Sequence, residues 1–95
     1  AEVRACDVSH REQPDFVFDL GQKVPADLLA RFDFIYNGSV LDNVFDPAAC
    51  IRNLSRMLRA NGVTFGYEGM AHSSAAYLRF SPDWFFDYFA INGFA

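Results

Sequence analysis

Long apolar runs are missing from this chain of 95 residues. No stretch approaches the roughly 18–20 residues that a membrane-crossing helix needs. The first residues also lack the basic-then-apolar order of a secretory leader. Cysteine is scarce: Cys6 and Cys50 are the only two. Two thiols without short metal-type spacing make neither a zinc site nor a disulfide framework. Buried free thiols in a reducing compartment are therefore expected, in a cytoplasmic protein without a metal site. Positive charge is also short, with 8 basic against 12 acidic side chains, a formal net charge of −4 and a pI near 4.8. That balance argues against nucleic acid or an anionic membrane as partner, because neither phosphate backbone nor lipid headgroup is attracted. The glycines are Gly21, Gly38, Gly62, Gly66, Gly69 and Gly93. They never form G-x-G-x-x-G or a close variant after a strand, so these residues hold no glycine-rich loop for a cofactor.

Apolar and aromatic side chains are plentiful instead. Of all residues 52% are hydrophobic and 17% aromatic, with 11 phenylalanines. The length fits one domain at most, residues 1–95. A chain this short buries only about 60–65% of its unfolded surface, so its stability margin is thin. So many aromatics in so small a body suggest surfaces meant to be covered by more protein.

The pattern reads as strands alternating with helices. Residues 3–8 form a short, mostly apolar run ending at Asp7, as a buried strand would. Residues 10–15 are polar and contain Pro14, which marks a connection. Phe16-Val-Phe-Asp-Leu20 reads as a second strand stopped by Gly21. Residues 25–31 read as about two turns of helix with Leu28 and Leu29 facing inward. The segment FDFIYNGSVLDNVFDP over residues 32–47 gives a buried strand, a short polar loop and the start of a helix. Asp46 suits the N-cap and Pro47 the first helical position, where its missing donor is not needed. Cys50, Ile51, Leu54 and Leu58 share one face by the three- and four-residue rule. Arg52, Asn53, Arg56 and Arg59 point elsewhere, with Arg59 favouring the negative end of the helix dipole and Asn61-Gly62 supplying a left-handed stop. A strand over residues 63–68 follows directly. Ser81 as cap and Pro82 at the first position open a last helix. Its Trp84, Phe85, Phe86, Tyr88, Phe89 and Ile91 leave only a narrow stripe for Asp83 and Asp87, the pattern of a helix buried on more than one side. Asn92-Gly93 ends it, and Phe94 would begin another strand. Asn37-Gly38 has a competing reading as a hairpin turn, since Asn-Gly between apolar alternations is a strong signal. Residues 39–44 carry no comparable second strand, however, and the helix at Asp46-Pro47 starts too soon.

The order of these pieces resembles the second half of the class I S-adenosylmethionine-dependent methyltransferase domain. There a strand beginning Phe-Asp leads to a Val-Leu-Glu-His-Val-like segment, here Val40-Leu-Asp-Asn-Val44, then Asp-Pro, a helix and a Pro-Gly-Gly-like turn, here Ala60-Asn61-Gly62. The resemblance covers nearly the whole chain, from the family's second strand to the helix before its sixth. It implies a partial Rossmann-like α/β fold, a mainly parallel sheet flanked by helices, with S-adenosyl-L-methionine as cofactor. A small-molecule or glycan-linked methyl acceptor goes with it. The family's first strand and glycine-rich loop have no counterpart, so a fragment of a larger domain is expected. In the family's sheet that first strand lies between the strand ending at Asp7 and the strand starting at Phe32. Without it, two strand pairs with bare inner edges remain. The gap would be filled by the remainder of a longer chain or by another chain, as in a homo-oligomer.

The resemblance also assigns roles. Asp7 accepts from the ribose hydroxyls, Asp19 takes the adenine amino group, and the Leu20 amide meets the ring. Asn37, Gly38 and Ser39 face the methionine end, where Gly38 permits close approach of a ligand. Asp42 and Asn43 stand where many relatives have Glu-His; an amide does not titrate, so Asn43 is no base. Asn43 and Glu68 remain as substrate contacts, and Asp42 and His72 as candidates for the catalytic base. Each has a plain alternative. Asp7 and Asp42 are then solvated acids, Asp19 caps the turn at Gly21, His72 is an exposed loop residue, and the aromatic cluster over 77–89 is core, not a substrate lid. Two other functions stay open: a methyltransferase-like binding or scaffolding module without catalysis, and part of a dinucleotide-dependent oxidoreductase, whose ribose contact Asp7 also fits.

Overall fold

The structure, a computed structural model, describes residues 2–68 and 77–94. Two short segments, Cys6–Asp7 (β1) and Phe16–Val17 (β2), pair in parallel with Cys6 opposite Phe16 and Asp7 opposite Val17. The Asp15 carboxylate fixes the entry to β2: it accepts the Ala5 amide at 2.7 Å and pairs with Arg4. That amide bond, together with Arg4, holds the Asp15 carboxyl below its ordinary range. Phe32–Gly38 (β3) and Leu58–Tyr67 (β4) form a second parallel pair, joined by the helix Pro47–Met57 (α1). Parallel pairing needs such a crossover, so the hairpin at Asn37-Gly38 is excluded. The strands form two separate two-stranded sheets, the two strand pairs expected of this segment. The protein is a compact α/β body, with short parallel strand pairs and two α-helices among the described residues, and a Cα radius of gyration of 13.3 Å.

Helix α1 begins as anticipated, the Asp46 carboxylate accepting the Ala49 amide at 3.0 Å with Pro47 in the first turn. It ends a turn earlier than Asn61-Gly62 suggests. The backbone amides of Ala30 and Arg31 donate to the carbonyls of Arg56 and Met57 at 2.8 and 3.0 Å. The last helical acceptors are thus satisfied by the chain entering β3, and no local stop is required. Leu58 leaves the helix extended and pairs with Phe32. Residues 59–62 bulge out between the pairs Phe32–Leu58 and Phe34–Val63, with Asn61 left-handed at φ 65°. Gly62 is needed there for close approach, since a Cβ would lie 2.9 Å from the Arg59 carbonyl oxygen. Arg59 therefore sits in β4, where it pairs with Asp33, and not at a helix end.

Other elements also differ from their sequence pattern. Residues 25–31 yield only the 3-10 turn Ala26–Leu28; Leu28 is buried, whereas Leu29 is exposed and Ala30 turns left-handed. The last helix, Pro82–Ile91 (α2), has no fully buried residue. Trp84, Phe85, Tyr88 and Phe89 pack inward, while Phe86 and Ile91 face solvent. Ser81 caps through its backbone carbonyl, to Trp84 N, with no side-chain cap bond. At the other end the amides of Gly93 and Phe94 return to the carbonyls of Ala90 and Phe89, closing a Schellman motif with Gly93 at φ 78°. Phe94 completes this cap and starts no strand. Cys6, expected inside, is exposed; Cys50 is buried.

Among the described residues two clusters make the core. Val24, Leu28 and Met57 gather Phe16, Phe18, Phe32 and Ile35. Leu41, Cys50 and Ile51 gather Leu54 and the inner residues of α2. Leu20 packs against both clusters. The register puts Phe34, Tyr36, Val63, Phe65 and Tyr67 on one face of the β3–β4 sheet, because side chains alternate and partners in register share a side. All five are exposed. Asn37 and Thr64 point to the other face, toward α1.

Candidate functional site

Polar side chains collect where β3 and β4 end. Asn37 is the last inward-facing residue of β3 and is only 5% exposed. Its Nδ2 donates to Glu68 Oε1 at 2.7 Å, and its Oδ1 accepts the Val40 amide at 3.1 Å. Glu68 follows β4 directly and also accepts the backbone amides of Leu41 and Asp42, each at 3.2 Å. One carboxylate thereby ties the end of β4 to the 3-10 turn Leu41–Asn43 that follows β3. Burial pushes the Glu68 carboxyl above its ordinary range; bonds from Asn37, Leu41 and Asp42 oppose this, and the nearby Asp42 charge adds to it.

Asp42 is 2% exposed, so the picture of a solvated acid beside the helix does not hold. Ser39 Oγ donates to its carboxylate at 2.8 Å and Asn43 Nδ2 at 2.9 Å. Ser39, not Gly38, carries the left-handed backbone at φ 59°, and its amide reaches the Tyr67 carbonyl at 2.6 Å. A Cβ on Gly38 would meet the Tyr36 ring at 2.9 Å, on the face opposite Asn37. Asn37, Ser39, Asp42, Asn43 and Glu68 thus form one hydrogen-bonded group. His72 lies outside the described residues.

Asp7, Asp19 and Leu20 belong to the other strand pair. Asp7 ends β1, and its Oδ1 accepts the Val8 amide at 2.6 Å and the Ser9 amide at 3.3 Å. Asp19 Oδ1 accepts the Gly21 amide at 2.8 Å, the turn-capping arrangement. Oδ2 of each acid carries no hydrogen bond among the described residues. Cys50 is buried in the cluster with Leu41 and Ile51. Its buried thiol is pushed up to about 12, first by desolvation and then by the charges of Glu68, Asp19, Cys6 and Asp46.

Asn53, expected to point away from the buried face, is only 4% exposed. Its Nδ2 donates to the carbonyls of Leu20 and Gln22 at 2.6 and 2.5 Å, holding the loop after β2 on α1. The signal was its position: residues 50, 53 and 57 form a three- and four-residue stripe. Above α1, a cleft of about 320 Å³ opens between α1, α2 and the β3–β4 sheet, with Asn37 and Glu68 at its polar end. Among the described residues no three His, Cys, Asp or Glu side chains form a metal site, and no helix is long and apolar enough to cross a membrane. No family model matches this sequence, and neither the curated proteins nor the solved structures include a match.

Proposed function

We propose that this chain is the nucleoside-facing part of an S-adenosylmethionine-dependent methyltransferase domain of the Rossmann-like class. The supporting observation is the placement of Asp7 and Asp19 at and just beyond the carboxyl ends of the parallel pair β1–β2, and of the 37–39 loop at the carboxyl end of β3 in the parallel pair β3–β4, the kind of position where open α/β sheets bind ligands. The donor set suits a nucleoside. Each of Asp7 and Asp19 keeps one carboxylate oxygen outside its own turn, one acid half-buried and the other exposed. Such oxygens accept from ribose hydroxyls and from an adenine amino group. Asn53 holds the Leu20 loop in place for the ring by its bonds to the Leu20 and Gln22 carbonyls. The cofactor, when bound, supplies an electrophilic methyl group; these residues bind and orient its nucleoside end. Its amino-acid end needs a glycine-rich loop from outside these residues.

5′-Methylthioadenosine lacks that amino-acid end and is the suitable probe for this protein. Titration followed by amide NMR should shift Val8, Gly21 and Leu20, and Asp7→Ala should remove the response. Unmoved amides at millimolar nucleoside would sink the reading. A second reading, a binding or scaffolding module without catalysis, draws on the locked state of Asp42 and the non-titrating Asn43. Methylated product from any acceptor pool would remove it. A stronger response to a nicotinamide dinucleotide than to methylthioadenosine would favour the oxidoreductase reading.

A further inference from the structure

The cleft between α1, α2 and the β3–β4 sheet has apolar walls and one acid. Leu41, Leu54, Phe80, Phe85 and Phe89 supply the walls, and about 320 Å³ falls within the range of small-molecule sites. Three other polar side chains in the lining are already committed within the protein. Asn37 bonds Glu68 and Val40, Thr64 Oγ1 donates to the Ile35 carbonyl, and Ser55 Oγ meets the Ile51 carbonyl and the Tyr88 hydroxyl. Glu68 differs. Oε1 takes two donors and Oε2 takes one, so an acceptor position on Oε2 remains among the described residues. No lining residue is basic, and Glu68 forms no ion pair among the described residues. A carboxylate against phenyl walls is costly until a cation meets it.

We propose that this cleft binds a compact apolar amine, its ammonium on Glu68 and its hydrocarbon body against the phenylalanines. The rings add attraction for the cation through their negative faces. Anionic ligands are repelled by Glu68, and strongly polar ones gain nothing from the walls. The proposal rests on the methyltransferase reading only in naming this molecule as an acceptor; the binding itself requires no cofactor.

The test is an amide NMR titration of the whole chain, without nucleoside, using 2-phenylethylamine, 2-phenylethanol and 3-phenylpropanoate. The amine should shift Leu41, Leu54 and Phe85 and bind about tenfold tighter than the alcohol, the advantage of a charge-assisted hydrogen bond over a neutral one. The carboxylate should not bind. Glu68→Gln should reduce the amine to the level of the alcohol, and Leu54→Trp, which fills the cleft, should abolish both. Equal affinity for amine and alcohol in the unaltered protein overturns the proposal, as does an amine preference that survives Glu68→Gln. Should either variant unfold by circular dichroism, the comparison of the three probes on the unaltered protein decides alone. Amine binding without a response to methylthioadenosine keeps this site and removes the methyltransferase reading; the reverse result removes this site alone.

Discussion

Asn53 shows how much one side chain contributes when two carbonyls depend on it. Asn53→Ala leaves the Leu20 and Gln22 carbonyls facing a buried, shortened side chain. The expected loss is about 1–2 kcal/mol, the cost of losing hydrogen bonds to two part-buried acceptors, read as a lower urea midpoint. A loss within error would mean that water replaces the amide. Glu68 makes a prediction in pH. Its carboxyl is raised in the folded state, chiefly by burial. The protonated form is thus favoured by folding, and its contribution is present in acid and fades as pH rises through the raised value. Stability of the unaltered protein relative to Glu68→Gln should therefore fall with rising pH and then level off. A difference that grows with pH contradicts the assignment. Residue types announced some of this and hid the rest. Asp19 capping Gly21 was legible because an acid two residues before a turn glycine makes a local bond. The bond from Asn37 to Glu68 spans 31 positions, and only the parallel register of β3 and β4 brings them together.

At the scale of elements, local chemistry marked beginnings better than ends. Asp46 and Pro47 announce α1 because cap and first-turn proline act on neighbouring amides. Asp46→Ala should cost about 1 kcal/mol, the usual value of such a cap. Thermal melting checks it, and Asp46→Asn, which retains an acceptor oxygen, should recover most of the loss. The end of α1 was hidden because its terminal carbonyls are capped by Ala30 and Arg31, residues that precede the helix by a whole strand. Asn61-Gly62 was correctly left-handed at Asn61, but it serves a bulge between paired strands. The α2 pattern misled differently: its aromatic rings surround the helix, while the described residues provide packing for one side, with Phe86 and Ile91 left exposed.

At the scale of the molecule, what packs and what does not follows from layer count. Parallel sheets are normally covered on both faces, since their crossovers carry helices. Here α1 and α2 cover one face of β3–β4, and Phe34, Tyr36, Val63, Phe65 and Tyr67 leave the other open at 55–63% exposure. Tyr36 and Phe65 stack on each other at 5.8 Å, which shields them only in part. The wealth of aromatics in the sequence foretold uncovered surface, but only the register identifies the face. Five large apolar side chains on one sheet face favour association, and the strand edges beside them, unpaired among the described residues, add backbone donors and acceptors to any such contact. The chain should therefore self-associate at micromolar concentration in sedimentation equilibrium, with a mass above the 10.7 kDa of one copy. The double variant Tyr36→Lys/Phe65→Lys places two like charges on that patch and should return the mass to one copy without loss of helix signal. A monodisperse 10.7 kDa species before substitution would show that the face tolerates water. Association unchanged by the two lysines would move the contact to the strand edges, where backbone groups, not side chains, make the bonds.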